Sequence, residues 1–459
     1  MRWRIALLVA AVASASCGLS LNARLKVGDS LEARIESPHP IRGGMWSQEV
    51  ILPGATFLKF HLDTLDLGPE DLFLLHDGEG ATVFSHVGPL DARWLPSVEG
   101  ERAKLEVWSG EGSMPWGLVV DGLARGTERV RAESGHVDPE SICGSNDSRD
   151  PACYGPSLRS AGDAVGRMLF EDDGGGWYLC TGSLVSPYEH FLTNNHCVDS
   201  ESEANSLEVR WRYQYSGCGA GVPATETVST GAHFLSTSQK LDYSLLYFDS
   251  DAPAARYGHL TLGTSTPASG TRIWIPQHPG GSPKRFAVAS DLDAGGNATI
   301  QAVNLKGNAK NTDVGYFADT EGGSSGSPVL TYSEPFQVVA LHHFGTGGAP
   351  CGSSAMNQGV DIGKIAPEVS PYLEAPQAAS MKKVATPSFR FVVTGTHFTP
   401  STTVAIDGAA WTSVTYKSST KLVIKGGAAL KSEVPKNTPA TFTFANPGIP
   451  PASFVWQWP

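Results

Sequence analysis

The sequence predicts an all-β protein of several domains, and three observations lead to this prediction. The chain has 459 residues, enough for about two to four domains of ordinary size. Its 51 glycines and 31 prolines separate many short apolar stretches. A helical period appears only near KIAPEVSPYLEA, which begins at Lys364. Short strands joined by turns therefore account for most of the chain.

The N-terminus has the pattern of a secretory signal peptide. Arg2 and Arg4 precede an apolar stretch, and a motif of small residues ends at Ala15. We expect cleavage after Ala15, so that residues 1–15 form a bacterial-type signal peptide and the protein is secreted. Lipid attachment at Cys17 is the alternative. No second stretch is apolar enough to span a bilayer.

The block from residue 21 to residue 125 is predicted to be a β-sandwich. The stretches FLKFHLDTL, DLFLLHDG and AKLEVWSG alternate apolar and polar residues between turns. A strand around Trp46, the stretch PGATFLKFHLDTLDL, a turn at Asp77-Gly78 and the closing WGLVVDG resemble CUB-like domains, although the usual CUB cysteines are missing. Residues 126–139 are charged and poor in large apolar side chains, which indicates a linker.

The C-terminal part is predicted to contain a second small sandwich. Residues 376–385 are mostly small and are interpreted as a linker, and residues 386–459 alternate short apolar strands with glycine-rich turns. The stretch VVTGTHFTPSTTVAIDG resembles the IPT/TIG class of immunoglobulin-like modules.

Six of the seven cysteines lie between residues 143 and 351. An even set in an exported chain indicates three disulfides, although spacing alone leaves about 15 pairings open. The block between the two sandwiches is therefore one cross-linked domain, which we place at residues 140–375.

This block also contains a candidate nucleophile, Ser325, in GGSSGSP. A serine attacks only when a base takes its proton, and the resulting oxyanion needs donors already in place. His196 in FLTNNHC and Asp242 at the start of DYSLLYF provide a base and a carboxylate. Their order, His then Asp then Ser, is that of chymotrypsin, and no G-x-S-x-G motif surrounds Ser325.

Residues of about 140 to 375 resemble the lysyl-endopeptidase branch of the trypsin-fold serine proteases. The matching motifs occur in the family's order and are CTGSLVSP, FLTNNHC, RWRYQYSGC, IPQHPGGSPKR and GGSSGSP. The resemblance implies two six-stranded β-barrels with the site in the cleft between them. The fold class expected for the whole chain is thus all-β, a double β-barrel trypsin-like protease domain flanked by two β-sandwich domains.

The resemblance also implies a role for each site residue. His196 is the general base and later the acid, Asp242 orients it, and Ser325 attacks the carbonyl. The backbone N–H groups of Gly323 and Ser325 form the oxyanion hole. Ser324 replaces the Asp with which trypsins bind a newly cut N-terminus, so activation by that ion pair is not expected. The implied disulfides are Cys180–Cys197, Cys143–Cys351 and Cys153–Cys218.

The substrate pocket is less well determined by the sequence. In the family an Asp shortly after the last cysteine binds the substrate lysine. Aligning Gly363-Lys364 with the family's Gly-Arg puts Val360 at that position, and a shift of one residue gives Asp361. Only one of these neighbours can point inward, so the pocket is either apolar or selective for Lys and Arg.

Three histidines are further candidates for the cleft. His278 is either a cleft residue or a loop residue. His342 and His343 follow each other where the family's substrate-pairing strand runs, and at most one of them should face the cleft. No second cluster with metal-ligand spacing accompanies the histidines, so we expect no metal and no cofactor.

The leading hypothesis is a secreted serine endopeptidase that acts on proteins or peptides. No lysine lies between Lys104 and Lys240, so self-cleavage of the linker would not follow lysine, and strict lysine specificity is expected to be lost. The N-terminal domain is expected to be a pro-region or a surface-binding module, and the C-terminal sandwich is expected to bind a protein, a glycan or a cell surface. A catalytically inactive, protease-like adhesion protein and an esterase are the alternatives. The formal net charge of −12 argues against nucleic-acid binding.

Overall fold

The structure is a computed structural model that describes residues 24–42, 44–127, 141–249, 251–347 and 349–459. The predicted signal peptide, Cys17 and most of the linker predicted at residues 126–139 lie outside the described residues. Strands account for 47% and helices for 10% of the structure, which confirms the all-β prediction.

The N-terminal domain is built from nine strands in two layers. They are β1 (Leu25–Glu36), β2 (Met45–Ile51), β3 (Phe57–Asp66), β4 (Leu72–Asp77), β5 (Thr82–Val87), β6 (Arg93–Trp94), β7 (Val98–Glu99), β8 (Arg102–Trp108) and β9 (Gly117–Gly126). One layer has the order β2-β8-β4-β5, and the other contains β1, β9 and β3. Alternating apolar side chains of β3, β4 and β8 fill the space between them, among them Phe60, Phe73 and Leu105, all of which are fully buried.

The central domain contains most of the remaining strands. Its first half comprises β10 (Val165–Glu171), β11 (Gly176–Leu184), β12 (His190–Thr193), β13 (Glu208–Trp211), β14 (Gln214–Gly217), β15 (Ala220–Ala224), β16 (Thr227–Thr230), β17 (His233–Ser238) and β18 (Tyr243–Tyr247). Its second half comprises β19 (Thr261–Leu262), β20 (Ile273–Gln277), β21 (Arg285–Ala287), β22 (Ile300–Leu305), β23 (Asp313–Tyr316), β24 (Pro328–Thr331), β25 (Gln337–Phe344) and β26 (Asn357–Asp361).

Within its described residues, this domain contains two large sheets, a two-stranded sheet of β14 and β15, and four helices. The first sheet curls through β16-β13-β10-β11 and returns through β12, β18 and β17, and the second has the order β21-β20-β24-β25-β26-β23-β22. The helices are α1 (Pro156–Asp163), α2 (Glu201–Ser206), α3 (Pro253–Tyr257) and α4 (Ile362–Leu373). Short 3₁₀ turns lie at Pro151–Cys153 and Pro279–Gly281. The two sheets meet where His343 of β25 contacts Asp242, which directly precedes β18, and the candidate residues His196 and Asp242 lie at this junction.

Strand β1 joins the N-terminal and central domains. It pairs with β9 of the sandwich through residues 28–36 and with β11 of the first barrel through residues 25–29, antiparallel in both cases. A single twelve-stranded sheet therefore runs from one domain into the other. Trp177 of β11 is fully buried at this junction and packs edge-on against Trp94 of the sandwich, with ring centroids 4.9 Å apart.

The C-terminal domain is a sandwich of two four-stranded sheets. Its elements are β27 (Gln377–Val384), β28 (Arg390–Thr396), β29 (Thr403–Ile406), β30 (Ala409–Trp411), β31 (Val414–Ser418), β32 (Lys421–Lys425), α5 (Gly427–Glu433), β33 (Ala440–Ala445) and β34 (Ala452–Trp456). The interpretation of residues 376–385 as a linker is wrong, because most of them form β27, which pairs with β28. Small residues and a bulge obscure the alternation of apolar and polar side chains along β27. Met381 is the residue of this strand that is buried in the core of the sandwich.

Three disulfides cross-link the central domain, with the pairing that the family resemblance implies: Cys143–Cys351, Cys153–Cys218 and Cys180–Cys197. Among the described residues, no helix is both long and apolar enough to cross a membrane.

Candidate active site

His196 and Asp242 meet at the junction of the two sheets. His196 follows β12 on a turn that the Cys180–Cys197 disulfide ties to β11, and Asp242 directly precedes β18. The Asp242 Oδ2 atom lies 2.8 Å from Nδ1 of His196, and its Oδ1 atom accepts the His196 backbone N–H at 2.9 Å. Asp242 is fully buried, and its carboxylate fixes both the ring and the backbone of the histidine.

A second histidine, His343 of β25, contacts the same carboxylate. Its Nδ1 atom lies 2.9 Å from Oδ2 of Asp242, and its Nε2 atom lies 2.6 Å from Oδ2 of Asp313 on β23. Burial opposes charge on His343, but the two carboxylates outweigh it and raise its pKa to about 9. Burial likewise opposes ionisation of Asp242, yet both histidines hold its pKa well below the usual range. His343 is therefore a buried imidazolium near neutral pH.

This ion cluster predicts a loss of stability at alkaline pH. The folded-state pKa of His343 is about 9, above the ordinary value of 6.5, so its contribution is complete below pH 6.5 and disappears as the pH rises through 9. We expect the free energy of unfolding to fall by on the order of 3 kcal/mol over this pH range. Urea unfolding from pH 6 to 10 measures it, and the drop should be absent in His343→Gln. The same drop in both proteins would contradict this assignment.

Ser325 lies on a tight turn between the two halves of the domain. Its carbonyl accepts the Thr181 N–H at 2.8 Å, and the Gly326 N–H donates to the His342 carbonyl at 2.9 Å. Gly326 has φ of 86°, and a Cβ atom there would lie 2.0 Å from the Thr181 carbonyl oxygen. Only glycine fits at this position, which explains why the turn is rich in small residues. Ser325 itself is 6% exposed.

The turn at residues 278–281 and the side chain of Thr181 hold Gly322 and Gly323 in place. The Gly280 N–H donates to the Gly322 carbonyl at 2.7 Å, and Thr181 Oγ1 donates to the Gly323 carbonyl at 2.8 Å. Gly323 has φ of 98°, and a Cβ atom there would approach the Gly281 nitrogen to 2.9 Å. The peptide that would present an oxyanion-hole donor is thus held by close packing.

His278 does not line the cleft, contrary to one of the two sequence interpretations. It is fully buried, its Nδ1 atom lies 3.0 Å from the Ser282 carbonyl, and burial lowers its pKa. Its backbone N–H donates to Thr181 Oγ1 at 3.2 Å. The histidine belongs to the support of the turn, a role that requires the three-dimensional contact between residues 278 and 181.

Neither proposed register of the substrate pocket agrees with the structure. Val360 is 1% exposed and packs in the main hydrophobic core with Leu341 and Ile362. Asp361 is the N-cap of α4, where Oδ1 accepts the Gly363 N–H at 2.9 Å and Oδ2 contacts the Thr266 hydroxyl. Both side chains have structural roles, because the strand passes directly into a helix that needs a cap.

The two neighbouring histidines of β25 point to different partners. His342 is fully buried, and its Nδ1 atom lies 2.7 Å from the Tyr316 hydroxyl. Its main chain also bonds the nucleophile turn, since its N–H donates to the Ser327 carbonyl at 2.9 Å. His342 therefore acts on the site through its backbone, while His343 reaches Asp242.

One further acidic residue, Asp319, was not singled out by the sequence. It lies six residues before Ser325, and its carboxylate accepts the backbone N–H groups of Cys143 and Asp147 at 2.8 and 2.6 Å. Burial raises its pKa to about 6. Asn357 also fixes the start of the central domain, because its side chain forms hydrogen bonds with both the N–H and the carbonyl of Ser141.

Cys180, His196 and Cys197 bring three potential metal-ligand atoms within 4.8 Å of one another. The two sulfur atoms form the Cys180–Cys197 disulfide, so neither is available as a thiolate. This group therefore does not have the chemistry of a metal site.

Comparison with protein-family models gives a match to most of the central domain. Residues 139–362 match the family model described as "Lysyl endopeptidase, C-terminal domain". This segment is thus similar to the C-terminal domain of lysyl endopeptidases. It contains His196, Asp242 and Ser325, and it ends at the start of α4.

Two curated relatives cover parts of the chain. Secreted RxLR effector protein 73 of Plasmopara viticola is 36% identical over 225 residues, which are 48% of this chain and 53% of the relative. Lysyl endopeptidase of Pseudomonas aeruginosa is 28% identical over 305 residues, which are 61% of this chain and 62% of the relative. The chain thus spans between half and two thirds of the length of these relatives.

Solved structures resemble the chain less closely. A Glu endopeptidase in complex with MPD aligns with 50% of this chain and 98% of its own, at 18% identity and a TM-score of 0.34. The HtrA-type protease AlgW with a tripeptide aligns with 66% of this chain and 95% of its own, at 13% identity and a TM-score of 0.33.

Proposed function

We propose that the protein is a secreted serine endopeptidase that hydrolyses peptide bonds through an acyl-enzyme intermediate. The observation that carries this proposal is the placement of His196, whose Nδ1 lies 2.8 Å from the buried Asp242. Its neighbour Cys197 has its Sγ atom 3.9 Å from the Ser325 carbonyl oxygen, so the two turns are adjacent. An ionised carboxylate that accepts Nδ1–H leaves the other ring nitrogen free to take a proton from a serine hydroxyl. The similarity of residues 139–362 to the C-terminal domain of lysyl endopeptidases supports the same chemistry.

In this mechanism Ser325 attacks the substrate carbonyl while His196 accepts the hydroxyl proton. The tetrahedral oxyanion receives hydrogen bonds from the backbone N–H groups of Gly323 and Ser325. His196 then donates the proton to the leaving amine, and a water molecule hydrolyses the acyl-enzyme by the same two steps. The residues that hold the Ser325 turn act only by positioning it.

We also propose that the enzyme does not require lysine before the scissile bond. The Asp361 carboxylate caps α4 and contacts Thr266, and the Asp319 carboxylate accepts two backbone N–H groups. Both acidic side chains are thus engaged within the protein. Neither carboxylate is therefore left to form an ion pair with a substrate lysine, which removes the contact that a lysine preference would need.

The flanking sandwiches remain candidates for surface or glycan binding, as CUB-like and IPT/TIG-like modules. Secretion agrees with the signal-like N-terminus, with the three disulfides and with a relative named as a secreted effector. A protease-like adhesion protein without activity is the second candidate, favoured by the two β-sandwich domains that flank the central domain.

A fluorophosphonate probe tests the proposal directly, beside a digest of casein. We expect one covalent adduct on Ser325 in the purified full chain, no adduct in Ser325→Ala, and peptides released from casein only by the unmutated protein. Ser327→Ala is the matched control, because this neighbouring serine should be dispensable for labelling. A folded chain with three disulfides but neither adduct nor peptides would favour the adhesion protein.

A further inference from the structure

The start of strand β1 reaches the candidate active site from the N-terminal domain. The Arg24 guanidinium donates to the His196 carbonyl oxygen and forms an ion pair with Glu203, with Nη1 and Oε1 2.7 Å apart. Glu203 is almost fully buried, and its second oxygen accepts the Asp199 N–H at 2.6 Å. Arg24 is therefore fixed against the turn that carries His196.

The next residue, Leu25, approaches the turn that precedes Ser325. It pairs with Leu179 of β11, two residues before Thr181, whose N–H binds the Ser325 carbonyl. Its Cδ2 atom lies 3.4 Å from the position that a Cβ atom of Gly323 would occupy. Arg24, which directly precedes β1, thus contacts the histidine turn, and Leu25, the first residue of β1, approaches the proposed oxyanion turn.

The position of these contacts identifies which part of a substrate they would meet. His343 of β25 contacts the Asp242 carboxylate that holds the His196 ring, whereas Arg24 contacts the carbonyl oxygen of His196 itself. The general base returns its proton to the leaving amine, so the amine portion of the substrate lies beside this histidine. Both edges of β11 are already paired here, one with β10 and one with β1. Residues that follow the scissile bond would therefore meet β1 instead of an open sheet edge.

We propose that Arg24 and Leu25 form the wall of the substrate cleft on the leaving-amine side, and that Leu25 favours apolar residues after the scissile bond. This inference rests on the proposed peptidase activity. Arg24 is a positioning residue that acts through the His196 turn, and its charge is already balanced by Glu203. Leu25 provides the apolar surface, which makes the N-terminal domain a constituent of the active site.

The test measures kcat/KM of the full-length protein on two substrates. One is a peptide identified in the casein digest, with an apolar residue second after the scissile bond. The other has the same residues before the bond and p-nitroaniline as its leaving group. Leu25→Ala should lower kcat/KM about tenfold for the peptide, as expected when an apolar contact is lost, and less than about twofold for the anilide. Leu25→Phe should shift the preference toward smaller residues after the scissile bond.

Lys26→Ala is the matched control, since Lys26 is the next residue of β1 and its side chain is 51% exposed. It should leave both substrates unchanged. Equal losses on peptide and anilide, or no loss on either, would overturn the assignment of Leu25. Failure of the unmutated chain to label at Ser325 and to cleave either substrate would instead reject the peptidase activity, so the two failures are distinguishable.

Discussion

Asp242→Asn is expected to lower kcat by about four orders of magnitude while leaving the protein folded. The Asp242 carboxylate accepts three N–H groups, namely the backbone and Nδ1 of His196 and Nδ1 of His343. An asparagine offers one accepting oxygen and one donating NH₂ group. If the NH₂ group faces Nδ1 of His196, the ring takes the opposite tautomer, and Nε2 carries a proton and no longer acts as a base.

Two measurements check this prediction, the anilide kcat and the rate of fluorophosphonate labelling. Both should fall together, because each needs a deprotonated Ser325 hydroxyl. Asp249→Asn is the matched control, since the Asp249 side chain is 61% exposed and pairs only with His233 among the described residues. A variant with unchanged labelling would show that Asp242 does not orient the catalytic base.

The three triad candidates were accessible from sequence because each belongs to a local motif. His196 has a neighbouring cysteine, Asp242 begins an apolar strand, and Ser325 lies among glycines, so each signal fits within about ten residues. The chain order then favoured one fold over its competitors. The all-β class followed from alternation and turn residues in the same local way.

The features that sequence reasoning missed all depend on contacts distant along the chain. His343 lies 101 residues from Asp242, and Arg24 lies 172 residues from His196. No local pattern distinguishes His343 from its neighbour His342, because the difference arises from which strand faces each ring. The pocket interpretation of Val360 and Asp361 is wrong because it rests on the alignment of only two residues, Gly363 and Lys364. In the structure the Asp361 side chain caps helix α4 instead of entering a pocket.

A buried ion cluster between the N-terminal and central domains gives the last prediction. Lys59 of β3 and Glu208 of β13 are both fully buried, with Nζ and Oε2 2.7 Å apart. The N–H and hydroxyl of Ser97 each donate to the Glu208 carboxylate at 2.7 Å, and Arg210 Nε donates to it at 2.9 Å. Burial lowers the pKa of Lys59, although the adjacent carboxylate opposes the shift.

Lys59→Met should destabilise the protein by about 3 kcal/mol, because it removes one of the two buried cations that pair with Glu208 and leaves Arg210 shared between Glu208 and Glu99. Urea unfolding of the full chain at pH 7 measures the change. Lys26→Met is the matched control, and it should cost less than about 1 kcal/mol because the Lys26–Asp29 pair is half exposed. The double variant Lys59→Met/Glu208→Gln should recover part of the loss, since it also removes the buried carboxylate whose charge Lys59 helped to balance.

The consequence for function follows from the shared sheet. Lys59 lies on β3, which pairs with β9, and β9 pairs with the same β1 that presents Arg24 and Leu25 to the active site. Loosening the domain interface should therefore reduce peptide cleavage more than anilide cleavage at urea concentrations below the unfolding transition. Equal effects on the two substrates, or a loss of stability below about 1 kcal/mol, would mean that the N-terminal domain does not contribute to the active site and that β1 only connects the two domains.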